Sequence, residues 1–157
     1  MYNLLRRTII LAAGGTGGHV FPAQALAESL ILRGWTVLLV TDQRGDIFAK
    51  NFPIQVQKLV LNITNPSGDA KFSFVRSMWL FIKSLIIGFR FFLKTRPNII
   101  VGFGGYPSAT SMVIATILRI PSVIHEQNAV LGRINRLFQN QAKLLVFGIK
   151  PKAFRVR

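Results

Sequence analysis

The sequence contains no cysteine and only five acidic residues, against twenty lysines and arginines in 157 residues. The absence of cysteine excludes a disulfide framework and a thiolate metal site, and it suits a reducing compartment. Scarce carboxylates and two distant histidines form no metal-binding cluster, so we expect neither a metal ion nor a cofactor. After Ala70, fourteen basic residues accompany one acid, Glu126. This imbalance predicts an anionic partner: nucleic acid, anionic lipid head groups or a diphosphate-bearing substrate.

The sequence also lacks a long uncharged run. Its most apolar segment, Phe72–Lys94, has no uncharged stretch longer than six residues, whereas a membrane span needs about 18. Arg6 and Arg7 before an apolar run imitate a signal peptide, but that run is one strand long and leads directly into a glycine loop. We therefore predict neither a membrane span nor a signal peptide, and we interpret the run as the first strand.

A glycine-rich turn follows this strand and precedes a helix predicted from Pro22 to Arg33. Its glycines are Gly14, Gly15, Gly17 and Gly18. They bring backbone N–H groups to a helix N-terminus, where the dipole favours an anion, so we predict a phosphate or diphosphate ligand. His19-Val20 stand where a Walker loop needs Lys, and the dinucleotide fingerprint is only partial, although Asp42 closes the second strand, where a ribose-binding acid would lie. A purely structural turn explains one or two glycines but not four.

Strands and helices alternate along the chain. We predict strands at 8–11, 36–41, 54–60, 98–103, 121–125 and 143–147, and helices at 22–33, 72–94, 108–119 and 132–140, with Ser108 as a cap. This order predicts an α/β fold: a Rossmann-like open parallel sheet with helices on both faces. A second glycine turn, Gly104-Gly105-Tyr106, follows the fourth strand. Ligands bind such sheets near the switch in strand order, so we expect both glycine turns to face one crevice.

The predicted helix over Phe72–Lys94 has a seven-residue repeat of cations. Its predicted polar stripe consists of Arg76, Lys83, Arg90, Ser73, Ser77, Ser84 and Gly88. In one interpretation the helix packs in the core and exposes only this stripe. In the other, its apolar flank, with Trp79 and Phe81, enters a membrane interface while its cations meet anionic lipid. A nucleic-acid interface is disfavoured, because the aromatic residues fall on a helix rather than on an exposed sheet.

Three motifs occur in order along the chain. They are Gly14-Gly15-Thr16-Gly17-Gly18-His19-Val20-Phe21-Pro22, then Gly104-Gly105-Tyr106, then His125-Glu126-Gln127-Asn128 followed by Gly132, Asn135 and Arg136. Together they closely resemble the amino-terminal domain of the MurG family, bacterial transferases that add N-acetylglucosamine to undecaprenyl-diphospho-muramoyl-pentapeptide and so convert lipid I to lipid II. The resemblance covers nearly the whole chain. It implies that residues 1–157 form the first of two Rossmann-like domains of a GT-B glycosyltransferase, the donor-binding domain being absent from this sequence.

The resemblance also implies roles for individual residues in an inverting, metal-independent reaction. His19 takes the proton from the acceptor hydroxyl, the alternative being an imidazole that only hydrogen-bonds the turn. The implied substrate-binding residues are Thr16, Gly17, Gly18, Asn128, Gly14, Gly15, Gly104, Gly105, Tyr106, Glu126 and Gln127. Glu126 either assists the base or pairs with Arg133 or Arg136. His125 is expected to orient its loop.

The implied partners are UDP-N-acetylglucosamine, bound mostly by the absent domain, lipid I, and an anionic membrane surface, without nucleic acid. The implied location is the cytoplasmic face of the bacterial inner membrane, as a peripheral protein. The implied membrane contacts are Arg76, Trp79, Phe81, Lys83 and Arg90. The alternative is a non-catalytic membrane-binding module, or a split subunit that needs a separately encoded carboxyl-terminal domain.

Overall fold

The computed structural model describes residues 7–63 and 70–151, apart from the side chains of residues 70–74. Its strands are β1 (Thr8–Ala13), β2 (Thr36–Asp42), β3 (Gln57–Leu61), β4 (Ile99–Gly104), β5 (Ser122–Glu126) and β6 (Leu144–Phe147). Its helices are α1 (Gly17–Leu32), α2 (Gln43–Phe48), α3 (Ala70–Thr95), α4 (Gly105–Ile117) and α5 (Arg133–Phe138), with a short 3-10 helix at Ala49–Asn51. The predicted loop at Asn62–Ala70 and residue Ser73 of the predicted stripe fall largely outside this description.

The strands form one sheet in the order β3-β2-β1-β4-β5-β6. Every neighbouring pair is parallel. Ile10 of β1 lies opposite Leu38 of β2 on one side and Ile100 of β4 on the other. The strand order therefore reverses between β1 and β4, and the predicted Rossmann-like open parallel sheet is confirmed. Because β1 and β4 are neighbours, both glycine turns leave the sheet at the same point.

The central strand β1 is buried on both faces, as its uniformly apolar sequence predicts. Ile9 and Leu11 pack in the cluster beneath α1. Ile10 and Ala12 point to the other face, in the cluster covered by α3 and α4. Each fully buried aliphatic side chain of this kind contributes about 1.5–3 kcal/mol. The glycine turns are thus held at the end of the best-packed strands.

Two helices begin earlier than the sequence predicts. α1 begins at Gly17, so Pro22 lies inside the helix instead of opening it. α4 begins at Gly105 and is capped by Gly104, whereas the predicted cap was Ser108. Gly104 has a φ of 111°, a conformation that glycine adopts readily and a residue with a side chain does not. Ser108 is instead buried one turn into the helix. Gly17, Gly18 and Gly105 therefore belong to the first turns of helices, and Gly104 directly caps one.

The packed face of α3 is formed by small residues, contrary to the predicted stripe. Ser84 is buried, and a Cβ atom added to Gly88 would lie 2.8 Å from Cδ1 of Ile114 in α4. Phe92, one turn further, is also buried. Glycine and serine allow the two helices to approach closely at this point. The prediction that Ser84 and Gly88 share the solvated edge with the cations is therefore wrong.

The opposite side of α3, which we call the α3 outer face, carries cations and large apolar side chains together. Its exposed residues are Val75, Arg76, Met78, Trp79, Ile82, Lys83, Ile86, Ile87, Arg90, Leu93 and Lys94. Trp79 is 60% exposed, and the Lys83 ammonium lies 5.2 Å from the centre of its ring. A helix that buried all but a thin polar edge would not expose these side chains, so the structure contradicts the core-helix interpretation. Phe81 is only partly exposed and, at 100° per residue, lies on the packed side.

The amino-terminal part of α3 extends past the sheet. Both α3 and α4 run from the carboxyl ends of the strands towards their amino ends, and Gly88 lies level with Thr110 and Ile114. Since α4 begins at Gly105, the first eleven or so residues of α3, about 16 Å of helix, project beyond α4 on the side of the glycine turns. No helix in the described part of the chain is both long and apolar enough to cross a membrane.

Candidate active site

The side chain of Asp42 hydrogen-bonds the first glycine turn. Its buried Oδ1 accepts hydrogen bonds from the amides of Gly15, at 3.0 Å, and Gly45, at 2.6 Å, and the second bond caps α2. This engagement gives Asp42 a structural role in place of the ribose contact its position suggested. Gly15 also has a φ of 80°, so both its backbone conformation and its amide serve the turn itself.

The second glycine turn packs directly on the first. A Cβ atom on Gly105 would lie 2.7 Å from the carbonyl oxygen of Gly14, and one on Gly14 would lie 2.6 Å from Cγ of Pro107. One on Gly104 would lie 2.7 Å from Nε2 of His19. These three glycines are therefore required by the contact between the turns. A methyl group on Gly104 would therefore collide with the imidazole of His19 before it could meet a ligand.

Gly17 and Gly18 supply the amides at the amino terminus of α1. They are the first two residues of α1, and amides in the first turn of a helix have no acceptor within the helix. The N-cap residue, Thr16, makes no side-chain bond to them. Of the four glycines in this turn, Gly17 and Gly18 therefore best fit the predicted contact with an anion.

The imidazole of His19 is fixed in one tautomer by the same turn. Its Nδ1 lies 2.9 Å from the carbonyl oxygen of Gly14 and 3.1 Å from Oγ1 of Thr16. Because a carbonyl oxygen can only accept, Nδ1 carries the proton, and Nε2 keeps a free lone pair over Gly104. Both parts of the prediction are thus compatible: one nitrogen bonds the turn, and the other is available as a base.

Glu126 organises the loop after β5. Its carboxylate, 1% exposed, accepts hydrogen bonds from the backbone and side-chain nitrogens of Asn128, the amide of Gly132 and Nδ2 of Asn135, at 2.8–3.0 Å. Burial alone would raise the pKa of Glu126, but these hydrogen bonds outweigh it and lower the pKa. Of the two alternatives for Glu126, the pairing with Arg133 or Arg136 is wrong, because its donors are amides and Arg136 donates instead to the carbonyl oxygen of Leu131. Glu126 positions Asn128.

Replacing Glu126 with Gln is expected to lower the free energy of unfolding by about 2 kcal/mol at pH 7, because hydrogen bonds to a charged acceptor are lost. The pKa of Glu126 is lowered from its ordinary value of 4.5, so its contribution is complete above that value and lost as the pH falls through the folded-state pKa. Urea unfolding from pH 7 to pH 3 should show the two proteins converging in acid. Glu28→Gln, on exposed α1, is the control. A constant difference at all pH values would contradict the account.

His125 lies on the other side of its strand from this loop. Its ring packs against Phe103 with centroids 5.1 Å apart, and it lines an apolar groove beside Pro22 of α1. Burial lowers the pKa of His125, although Gln127 and Glu126 act to raise it. That His125 orients its loop stays a prediction.

A pocket of about 260 Å³ brings together predicted residues from all three motifs. It is lined by His19, Gly104, Gly105, Glu126, Asn128 and Asn135, and also by Gly132, Arg133 and Ile134. The predicted residues Gly14, Gly15, Thr16, Gly17, Gly18, Tyr106 and Gln127 do not line it. Arg133 was predicted only as an ion-pair partner, yet as the first residue of α5 it supplies a cation to the pocket. Within residues 7–63 and 70–151, no three acidic or histidine side chains are grouped to hold a metal ion.

Comparisons with known proteins agree with this geometry. Residues 9–146 match the glycosyltransferase family 28 N-terminal domain. The UDP-N-acetylglucosamine--N-acetylmuramyl-(pentapeptide) pyrophosphoryl-undecaprenol N-acetylglucosamine transferase of Agrobacterium fabrum is 45% identical over 145 residues, which are 92% of this chain and 38% of that protein. The corresponding transferase of Mesorhizobium japonicum is 41% identical over 155 residues, 95% of this chain and 40% of that protein.

Solved structures show the same fold. The crystal structure of Acinetobacter baumannii MurG has a TM-score of 0.81 at 27% identity, covering 96% of this chain and 43% of that one. The calicheamicin glycosyltransferase CalG4, at 16% identity and a TM-score of 0.57, shares the fold alone. The chain thus spans about 40% of the length of its relatives.

The strand switch, the two glycine turns and the pocket between them define a Rossmann-like domain of the GT-B glycosyltransferase class. The chain belongs to the glycosyltransferase family 28 N-terminal domain family, which the match over most of its length shows. The roles of the individual pocket residues remain predictions from their geometry.

Proposed function

We propose that this chain is the acceptor-binding half of an N-acetylglucosaminyltransferase that converts lipid I to lipid II, and that a donor-binding half completes the active site. The observation that carries the proposal is the free Nε2 of His19, a residue that lines the pocket formed by all three sequence motifs. The pocket, at about 260 Å³, is smaller than the roughly 300–1,000 Å³ of complete ligand sites. That size fits a site whose remaining wall is supplied by the donor-binding half.

In the proposed reaction, Nε2 of His19 takes the proton from the acceptor hydroxyl as its oxygen bonds to the anomeric carbon of N-acetylglucosamine. The bond from that carbon to UDP breaks, UDP leaves with the electron pair, and attack from the opposite side inverts the configuration. The amides of Gly17 and Gly18 and the guanidinium of Arg133 hold the diphosphate of the acceptor. The side-chain amide of Asn128, fixed by Glu126, is offered to a sugar hydroxyl.

An exposed apolar groove between α1 and the sheet supports the proposal that this half binds a second half. It has a volume of about 420 Å³ and is lined by Pro22 and Leu26 of α1 and by Val101, Val123 and Val146 of the sheet. Relatives of this chain are about two and a half times its length, and a donor-binding half is the occupant we propose for the groove. That half, whether in the same polypeptide or encoded separately, would bind most of the UDP-N-acetylglucosamine.

The binding of the acceptor can be tested with Gly18→Ala. A Cβ atom at Gly18 has only Oγ1 of Thr16 nearby, at 3.8 Å, so the fold should be unchanged. The methyl group is expected to keep a phosphate from the amides and to weaken binding of a soluble lipid I analogue about tenfold or more. Nuclear magnetic resonance titration should show shifts at Gly17, Gly18 and Asn128 in the wild type. Leu32→Ala, exposed at the far end of α1, is the control, and equal affinity in all three proteins would refute the contact.

We also propose that the chain binds the cytoplasmic face of the bacterial inner membrane as a peripheral protein, with the α3 outer face against anionic lipid. The exposed apolar side chains of this face would be buried in the membrane interface. Arg76, Lys83 and Arg90, which lie on the same face, would be attracted to the anionic head groups. The projecting end of α3 lies on the side of the pocket, which would bring a lipid-linked acceptor close to His19. The same face favours the second candidate, a membrane-binding module without activity.

Replacing Arg76, Lys83 and Arg90 together by Gln is expected to weaken binding to phosphatidylglycerol vesicles on the order of 10²-fold, since each cation near the surface contributes about 1 kcal/mol. Trp79→Ser with Ile86→Ser should instead reduce the binding that survives high salt. Co-sedimentation measures both. The control is Arg33, Arg44 and Lys50 changed to Gln, exposed on the other side of the sheet. Equal binding to neutral and anionic vesicles would exclude the electrostatic part of the proposal.

A further inference from the structure

A second basic pocket lies at the opposite end of the sheet from the candidate active site. It has a volume of about 380 Å³, and its lining includes Thr116, Arg119, Ser122, Gln141 and Lys143. The carboxyl end of α4 and the amino ends of β5 and β6 form its walls. The amide of Lys143 bonds the carbonyl oxygen of Ser122 at 2.8 Å, which fixes Lys143 beside the segment that carries Arg119. None of its lining residues is acidic.

Arg119 has a backbone conformation that normally belongs to glycine. α4 ends in a Schellman motif, in which the amide of Ile120 bonds the carbonyl of Ala115 and the amide of Arg119 bonds that of Thr116. Arg119 occupies the left-handed position of this motif, with a φ of 55°. α1 ends in the same motif, and there the left-handed residue is Gly34, with a φ of 78°. A residue with a Cβ atom is strained at this position, so a glycine would suit the backbone of α4 better.

The end of α4 does not itself require the arginine. The backbone amides of the motif already bond the carbonyls of Ala115 and Thr116, and the amide of Leu118 bonds that of Ile114. The hydroxyl of Thr116 donates to the carbonyl of Met112, so it is not a donor to the pocket. The guanidinium of Arg119 and the ammonium of Lys143 are the charged donors that line the cavity. Two cations without an acidic neighbour in a concave site suit an anion with several oxygen acceptors.

We propose that this pocket, which we call the amino-edge pocket, binds a phosphate group held by Arg119 and Lys143, with the side-chain amide of Gln141 as a further donor. The phosphate belongs either to a free phosphate ion or to the head group of an anionic lipid. The site is separate from the glycine turns and does not depend on the reaction proposed above.

The test is a nuclear magnetic resonance titration of the chain with inorganic phosphate at constant ionic strength, chloride serving as the reference. We expect the amides of residues 116–120 and 141–143 to shift. Arg119→Gly and Lys143→Gln should each weaken this response about tenfold or more. Arg119→Gly should not lower the melting temperature in chloride, because glycine relieves the left-handed conformation, so loss of the response cannot be ascribed to unfolding. Gly18→Ala should leave the response intact, which separates this site from the glycine turn.

Soluble short-chain phosphatidylglycerol distinguishes the two sources of phosphate. A stronger response to this lipid than to inorganic phosphate assigns the pocket to a lipid head group, and the reverse assigns it to the free ion; short-chain phosphatidylcholine is the control for the acyl chains. Unchanged amides at 116–120 and 141–143 with both probes would overturn the proposal. So would a full response in both Arg119→Gly and Lys143→Gln.

Discussion

The purified chain alone is expected to form no product from a soluble lipid I analogue and UDP-N-acetylglucosamine, whereas a chimera that restores a donor-binding half is expected to turn over. In the proposed reaction this chain supplies the base and the amides and a donor-binding half completes the site, because a reaction between two bound substrates needs both held in one geometry. The carboxyl-terminal remainder of the Agrobacterium fabrum transferase, whose matching segment is 45% identical, is a suitable second half. Product formation over time measures both proteins.

Two controls make this experiment decisive. The same remainder expressed alone should also be inactive, and circular dichroism should show that each half is folded. If the chain alone formed more product than a sample without protein, the proposal that two halves are needed for activity would be contradicted. A folded chimera that binds both substrates and forms no product would favour the membrane-binding module without activity.

The strands and the meeting of the two glycine turns could be predicted from the sequence. Residues 9–11 and 99–103 are apolar throughout, as strands buried on both faces must be, and alternation with helices leaves only a parallel sheet. The predicted starts of α1 and α4 lie too late in the chain, because Pro22 and Ser108 are residue types typical of the first turn of a helix. In this chain the glycines Gly17 and Gly105 begin the helices themselves.

The orientation of α3 and the partners of Glu126 could not be predicted. Helical periodicity shows which residues share a face, but both faces of α3 mix apolar and polar side chains, and only the contact of Gly88 with Ile114 shows which face packs. For Glu126, the nearby arginines in the sequence suggested an ion pair. Its actual partners are the backbone amides of Asn128 and Gly132 and the side-chain amides of Asn128 and Asn135, which reach it because of the path of a short loop. Such a path depends on tertiary structure.

His19→Ala in the active chimera is expected to lower turnover by a factor on the order of 10² to 10⁴, the effect of losing a general base, with little change in KM. The substitution removes two functions together, however: the bond from Nδ1 to the carbonyl of Gly14, and the free lone pair of Nε2. His19→Asn separates them, because its amide nitrogen can occupy the place of Nδ1 and bond the turn while nothing replaces Nε2.

The single-turnover rate of the His19→Asn chimera, measured at saturating concentrations of both substrates, tests most directly that the base of the reaction lies on this chain. The account predicts a rate as low as that of His19→Ala, on the order of 10² to 10⁴ below the wild type, with substrate binding and melting temperature preserved. A rate close to the wild type in His19→Asn would contradict it, because it would show that the imidazole only holds the glycine turn.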